Sequence, residues 1–198
     1  MDHKQMLGGL SVAIGALAYA IYLWRTVERE GIAPHPFSWL LWGCVTTVAA
    51  LAQHAKGAGP GSWVTAFTAV VCFIIGTLTL LKHRWLFSRF DWLSLTGGIV
   101  VIVFYIFTKN PTASAALATT ADVLGYNSTI KKGWINPHSD SAISFALNSV
   151  KFVPALFALN TYSIATWLYP ATLVLVNGGV SAMLVARRRR AGPSQNQS

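Results

Sequence analysis

The sequence predicts an all-α membrane protein of seven transmembrane helices, built as two parallel three-helix repeats joined by a linker helix (3+1+3). The N-terminus is expected outside and the C-terminus inside. Three observations predict it. Seven apolar stretches of near-spanning length follow one another. A charged-then-apolar passage occurs twice. Lys and Arg alternate in density from one connection to the next. Composition agrees: hydrophobic residues make up 54% of 198 and charged residues 11%, where an average soluble domain has about 25% charged. Eight Trp, ten Phe and six Tyr suit helices anchored at two interfaces.

A spanning helix needs about 20 mostly apolar residues. Leu7–Trp24 meets this without a charge, as do Phe37–Gln53 and Trp63–Leu81. Trp92–Thr108 is rich in β-branched residues, but lipid demands that its backbone hydrogen bonds close internally, so it is a helix. Pro111–Tyr126 is the weakest stretch, short, rich in Ala and Thr, and holding Asp122. Small residues let neighbouring helices approach, so it is expected to be enclosed by them. Ala142–Leu159 qualifies apart from Lys151, and Ile164–Ala186 is long and uncharged. The single transmembrane domain is thus 1–186, with repeat one at 7–81, the linker helix at 92–108 and repeat two at 111–186. Residues 187–198 are expected to be a basic, disordered cytoplasmic tail.

Alternate connections carry Arg25 and Arg29, then Lys82, Arg84 and Arg89, then Lys131 and Lys132, then Arg187 to Arg190. The other side carries only Lys4, Lys56 and Lys109. Basic residues stay cytoplasmic, which sets the orientation and makes integral residence in a bacterial inner (plasma) membrane the expected localisation. The same short-loop placement explains the net charge of +9 without nucleic acid. Lys4, the apolar run and Ala18-Tyr19-Ala20 also resemble a signal peptide. The run continues unbroken to Trp24 and belongs to the repeated unit, so a first helix is the reading adopted.

The repeated passage is RTVEREGIAPHPFS from Arg25 and STIKKGWINPHSDS from Ser128. At an offset of 103, Thr26, Ile32, Pro34, His35 and Ser38 meet Thr129, Ile135, Pro137, His138 and Ser141. Trp63 and Trp167 open the third helix of each copy at an offset of 104. One helix between two triplets leaves both copies in the same orientation, related by an axis along the membrane normal. This layout resembles the SWEET and SemiSWEET sugar transporters and the wider PQ-loop group, for which parallel repeats are a known build. The matching pattern is a first-helix end, a basic stretch and a Ser opening the second helix, as in Thr26–Arg29 with Ser38 and Thr129–Lys132 with Ser141. The resemblance implies alternating access, a sugar-sized solute, and a pocket role for Asn177 in LVLVNGG, whose partner in repeat one is Phe73. The Pro-Gln pair is absent from both copies, where Leu23-Trp24 and Tyr126-Asn127 stand.

Lys151 is the leading site residue. A charge near mid-bilayer costs at least about 2.5 kcal/mol, so it must face a cavity or a partner. Lys151 lies about 18 Å into its helix and Asp122 about 16 Å into its own from the opposite side, so a Lys151–Asp122 pair near the midplane is expected. Asn148 shares the face of Lys151 with Ser141, Ser144 and Phe145. Trp39 is expected to anchor at the interface and Trp42 to stack on a solute. Pro154 and Pro170 break backbone bonds within helices and are candidate hinges. His35 and His138 follow Pro at matching helix entrances and are candidate gates. Cys44 and Cys72 read as reduced packing residues, with no metal cluster and no cofactor expected.

No nucleophile motif, phosphate loop or paired catalytic carboxylates occur, so an enzyme is not expected. The function these observations favour is a transporter of a small polar solute between two helical repeats. Its alternative is a non-transporting receptor, assembly factor or accessory subunit on the same helices. The expected partners are the lipid bilayer and a small-molecule solute, with a second copy of the chain left open.

Overall fold

The computed structural model describes residues 2–28, 36–82, 89–138 and 140–191. Among them every regular element is helical: α1 His3–Glu28, α2 Pro36–Ala55, a 3-10 turn Gly59–Ser62, α3 Trp63–Lys82, α4 Arg89–Thr108, α5 Pro111–Ile135, α6 Ala142–Val150, α7 Phe152–Phe157 and α8 Ile164–Ala191. Three helices are long and apolar enough to cross a membrane: His3–Trp24, Gly59–Leu81 and Ile164–Arg190. Shorter apolar helices run over Leu95–Thr108 and Ala142–Phe157. This is a membrane protein. Leu10, Leu17, Val70, Ile74, Leu78, Phe107 and Leu175 are among its exposed large hydrophobics, more apolar surface than water tolerates on a single chain. In α2 and α5 the polar residues turn inward instead. Thr46 and Gln53 of α2 are buried, as are Ser114, Thr119 and Asp122 of α5.

Two ends differ from expectation. Helix α5 continues to Ile135, so Lys131 is helical rather than in a loop. Helix α8 continues to Ala191, so the basic run Arg187–Arg190 is the last helical turns and not a disordered tail. Arginine is a good helix former, and its charge suits a helix C-terminus. Two of these arginines also have local work. Arg187 donates through Nε and Nη2 to the Trp134 carbonyl, at 3.1 and 2.8 Å, and lies over the Trp134 ring. Arg188 donates to the carbonyls of Pro137 and Asp140. Together they bind the end of α5 and the turn after it.

The two helix prolines act differently. Pro154 lacks an N–H, and its ring crowds the carbonyl four residues back at Val150. The rod runs on through Lys151, whose backbone stays helical, but its hydrogen-bond ladder is interrupted there, with Lys151 closing α6 and opening α7. Pro170 leaves α8 unbroken. The carbonyl it leaves without a helical donor is that of Thr166, which accepts from Gln53 Nε2 at 3.1 Å. The carbonyl freed by Pro170 thus ties α8 to α2. Gln53→Leu should strip this carbonyl of its partner and cost about 1–2 kcal/mol, read as a lower unfolding temperature in detergent. An unchanged melting temperature would show the tie to be idle.

In the first triplet α3 packs on both α1 and α2, while α1 and α2 meet through the rings of Tyr19, Tyr22 and Trp39 rather than by close backbones. In the second, α8 packs on both α5 and the α6–α7 rod, while α5 and α6 barely meet. Between triplets, α1 packs on α6 and α7, and α5 packs on α2. Helix α4 leans on α2 and α5.

The α1 N-terminal end is tightly closed. A Cβ on Gly8 would lie 2.8 Å from Pro60, and one on Gly61 would lie 2.7 Å from the Ala155 carbonyl. Left-handed backbone at Gly57 and Gly59 turns the chain from α2 into this seam. Lys4 Nζ donates to the Leu159 carbonyl at 2.9 Å, and Asn160 N–H donates to the Ala58 carbonyl at 3.0 Å.

Candidate solute-binding cavity

A cavity of about 300 Å³ lies between the triplets. Helices other than α4 line it, mostly with residues at helical spacing. Helix α2 supplies Ser38, Trp39, Trp42 and Thr46; α5 supplies Asp122, Tyr126 and Thr129; α8 supplies Tyr169, Leu173 and Asn177. Helix α1 adds Tyr19 and Tyr22, α3 adds Thr68 and Cys72, and α6 adds Ser141, Ser144, Phe145 and Asn148, with Lys151 and Phe152 at its break. These sets follow the i, i+3, i+4, i+7 rule for one helix face. Ser38, Thr129, Asp140 and Ser141 at one end are half-buried, whereas Thr46, Lys151 and Tyr169 at the other are buried. The cavity thus runs inward from the α1 C-terminal end and stops beneath the closed seam.

Lys151 is 1% exposed. Its Nζ donates to the Tyr19 hydroxyl at 3.1 Å and to Thr68 Oγ1 at 3.0 Å. It also lies 4.4 Å from the Tyr19 ring centroid and 5.0 Å from that of Phe152. Its stem passes Gly15, where a Cβ would sit 3.5 Å from Cδ. The break at Pro154 places this amine where α1, α3 and α6 converge. The expected Lys151–Asp122 ion pair does not form among the described residues. Two neutral hydroxyls and two ring faces hold the cation instead. Asp122 lines the same cavity, 3% exposed, and its Oδ2 has no hydrogen-bond partner. Helical depth placed both residues near the midplane, but it says nothing of azimuth, and azimuth decides contact.

Asn177 lines the cavity but is largely engaged. Its Oδ1 accepts from the Tyr126 hydroxyl at 3.1 Å, and its Nδ2 donates to the Leu173 carbonyl at 2.9 Å. Asn148 donates to the Ser144 carbonyl of its own helix at 3.0 Å. Trp42 stands in the wall between Trp39 and Tyr126, with ring centroids 5.5 and 6.1 Å away. Trp39 is buried against Tyr22 and Tyr19 in the cavity wall. Phe73 does not line the cavity: its ring packs where Gly43 leaves room, and Cys72 takes the inward place. Of the candidate gates, His138 is exposed in a turn closed by its N–H to Asn136 Oδ1 and does not line the cavity, whereas Asp140, two residues on, does. His35 lies outside the described residues. Pro154 is buried beside the cavity as the cause of the Lys151 break.

Sequence reasoning missed Tyr19, Thr68, Tyr126 and Tyr169. Tyr126 falls one turn after Asp122, and Tyr19 three residues before Tyr22. Aromatic residues near helix ends read as interface anchors, which hid these inward tyrosines. Tyr169 shares a 2.9 Å hydrogen bond with Thr46 at the cavity's inner end. The two cysteines are free and buried, and no group of three His, Cys, Asp or Glu among the described residues is placed to hold a metal. No family model, curated protein or solved structure matches this chain.

Proposed function

We propose that this chain is a transporter of a small polar solute, built as a seven-span 3+1+3 pair of parallel repeats in the manner of the SWEET and PQ-loop group. It works by alternating access, with the N-terminus outside and the α8 arginines cytoplasmic in a bacterial plasma membrane. The observation that carries this reading is the cavity between the triplets, which holds Lys151, Asp122 and Asn177 in a largely aromatic wall, reached from one end and sealed at the other. A buried Lys and a buried Asp inside lipid are costly unless a cavity or pathway uses them.

The repeat reading draws on reciprocal packing. Helix α1 meets α6–α7 as α5 meets α2, which a two-fold axis requires. At the offset of 103, Tyr19 with Asp122, Ser38 with Ser141, and Trp42 with Phe145 all line the cavity. In this reading the seam of Gly8, Pro60, Gly61 and Ala155 is the outer gate in its closed state. The cavity mouth faces the cytoplasm.

Purified protein in proteoliposomes should exchange at least one solute from a mixed panel of sugars, amino acids and small organic acids faster than empty vesicles. A C-terminal reporter should be active only in the cytoplasm. Failure of the whole panel to exchange would favour a receptor or accessory subunit, and a reporter active outside would reverse the orientation.

A further inference from the structure

We infer that the cavity takes a small zwitterion, a solute carrying one carboxylate and one ammonium, with the carboxylate on Lys151 and the ammonium on Asp122. The inference rests on the reading of the cavity as the solute site and deepens it. Lysine has three N–H donors and no acceptor. Two are taken by Tyr19 and Thr68, both neutral, which leaves one donor and the whole positive charge for an occupant. Thr68 Oγ1 donates its own hydrogen to the Val64 carbonyl at 2.7 Å, so it meets the amine purely as an acceptor. The set solvates an ammonium without neutralising it.

Asp122 is the complement. It is buried on α5, and its Oδ2 lacks a partner among the protein groups. A buried carboxylate oxygen without a donor is unusual in a folded protein. The two charges share one cavity yet form no ion pair with each other. Each solute class leaves a different remainder. A neutral sugar satisfies donors and acceptors but matches neither charge. A monoanion matches Lys151 and adds a like charge beside Asp122. A monocation does the reverse. A zwitterion meets both, so no buried charge is left uncompensated in a low-dielectric site, and this pairing offsets the desolvation of its own two charges. Trp42, Tyr126 and Phe145 line the remaining wall, a surface for the solute's apolar part or for the face of an ammonium. A volume near 300 Å³ is about ten water volumes, small-metabolite size.

The test uses purified full-length protein and the twenty standard amino acids, offered singly at about 10 mM, with D-glucose alongside. Thermal stabilisation is the readout, and it needs no transport. At least one amino acid should raise the unfolding temperature. Its carboxyl amide and its N-acetyl form, each missing one charge, should bind at least about thirtyfold more weakly to the unmodified protein. Asp122→Asn should abolish the preference over the N-acetyl form, and Lys151→Met the preference over the amide. The analogue series on unmodified protein decides the matter even where a variant folds poorly. Binding by none of the twenty, equal binding of either capped form, or binding by D-glucose alone would overturn the inference. Amino-acid binding without exchange in vesicles would leave the zwitterion site standing and sink the transport reading. Exchange of a sugar without amino-acid binding would do the opposite.

Discussion

Lys151→Met should leave a folded, monodisperse protein that no longer moves its solute, with exchange in vesicles down at least about tenfold. Methionine keeps the length and flexibility of the stem and removes the charge. The stem's contact near Gly15 survives this change. Thr68 keeps its hydrogen bond to the Val64 carbonyl, and the Tyr19 hydroxyl keeps Thr68 and Cys72 as hydrogen-bond neighbours. Replacing a buried ion by an apolar group of similar volume is often tolerated, so the unfolding free energy should move by no more than about 2 kcal/mol. Function should not be so forgiving, because the amine is the positive group at the closed end of the cavity. Normal exchange by Lys151→Met would make the residue a scaffold, tying α6 to α1 and α3. A protein that aggregates would be rescued by Lys151→Arg if only the tie matters, and exchange by that variant then separates tie from pathway.

Gly61→Ala should open the sealed end. Its Cβ would lie 2.7 Å from the Ala155 carbonyl and 2.9 Å from Leu159 Cγ, closer than real Cβ contacts come. One neighbour is backbone, so α7 must move off the 3-10 turn. Overpacking of this kind costs about 1–3 kcal/mol in the closed arrangement. If the seam is a gate, that cost falls on one state only and shifts the population toward the other. Cys72 lines the cavity and is buried, which makes it a reporter. In a Cys44→Ala background, a membrane-impermeant thiol reagent added on the seam side should modify Cys72 about tenfold faster in Gly61→Ala than in its parent. A drop in stability with no change in labelling would mean that the seam is permanent structure.

The helices were legible because lipid imposes a length and an apolar requirement on each of them, and both are one-dimensional properties of the chain. Their ends were less so. A basic run reads as a loop when counted for topology, yet arginine is helix-compatible, and in α8 two arginines find carbonyls from the end of α5 and the following turn. The break at Lys151 was foreshadowed by Pro154, since a missing N–H acts one turn upstream. Its opposite outcome at Pro170 was not, because the donor that satisfies Thr166 comes from Gln53, over a hundred residues away.

By itself the sequence determined the all-helical membrane class, the repeated passage, and the two buried charges that mark the cavity. Each follows from composition, periodicity or spacing along one chain. Only the tertiary structure decided what those charges meet. Residues of matched depth touch only if their helices turn the right faces to one another. That rotation is set by how α1 packs on α6 and α7, and how α5 packs on α2 and α8. Packing gave Lys151 the hydroxyls of Tyr19 and Thr68, left Asp122 Oδ2 unpartnered, and turned Phe73 away in favour of Cys72. Depth is readable from residue counts. Azimuth is a collective property of every helix contact, and no single stretch of sequence carries it.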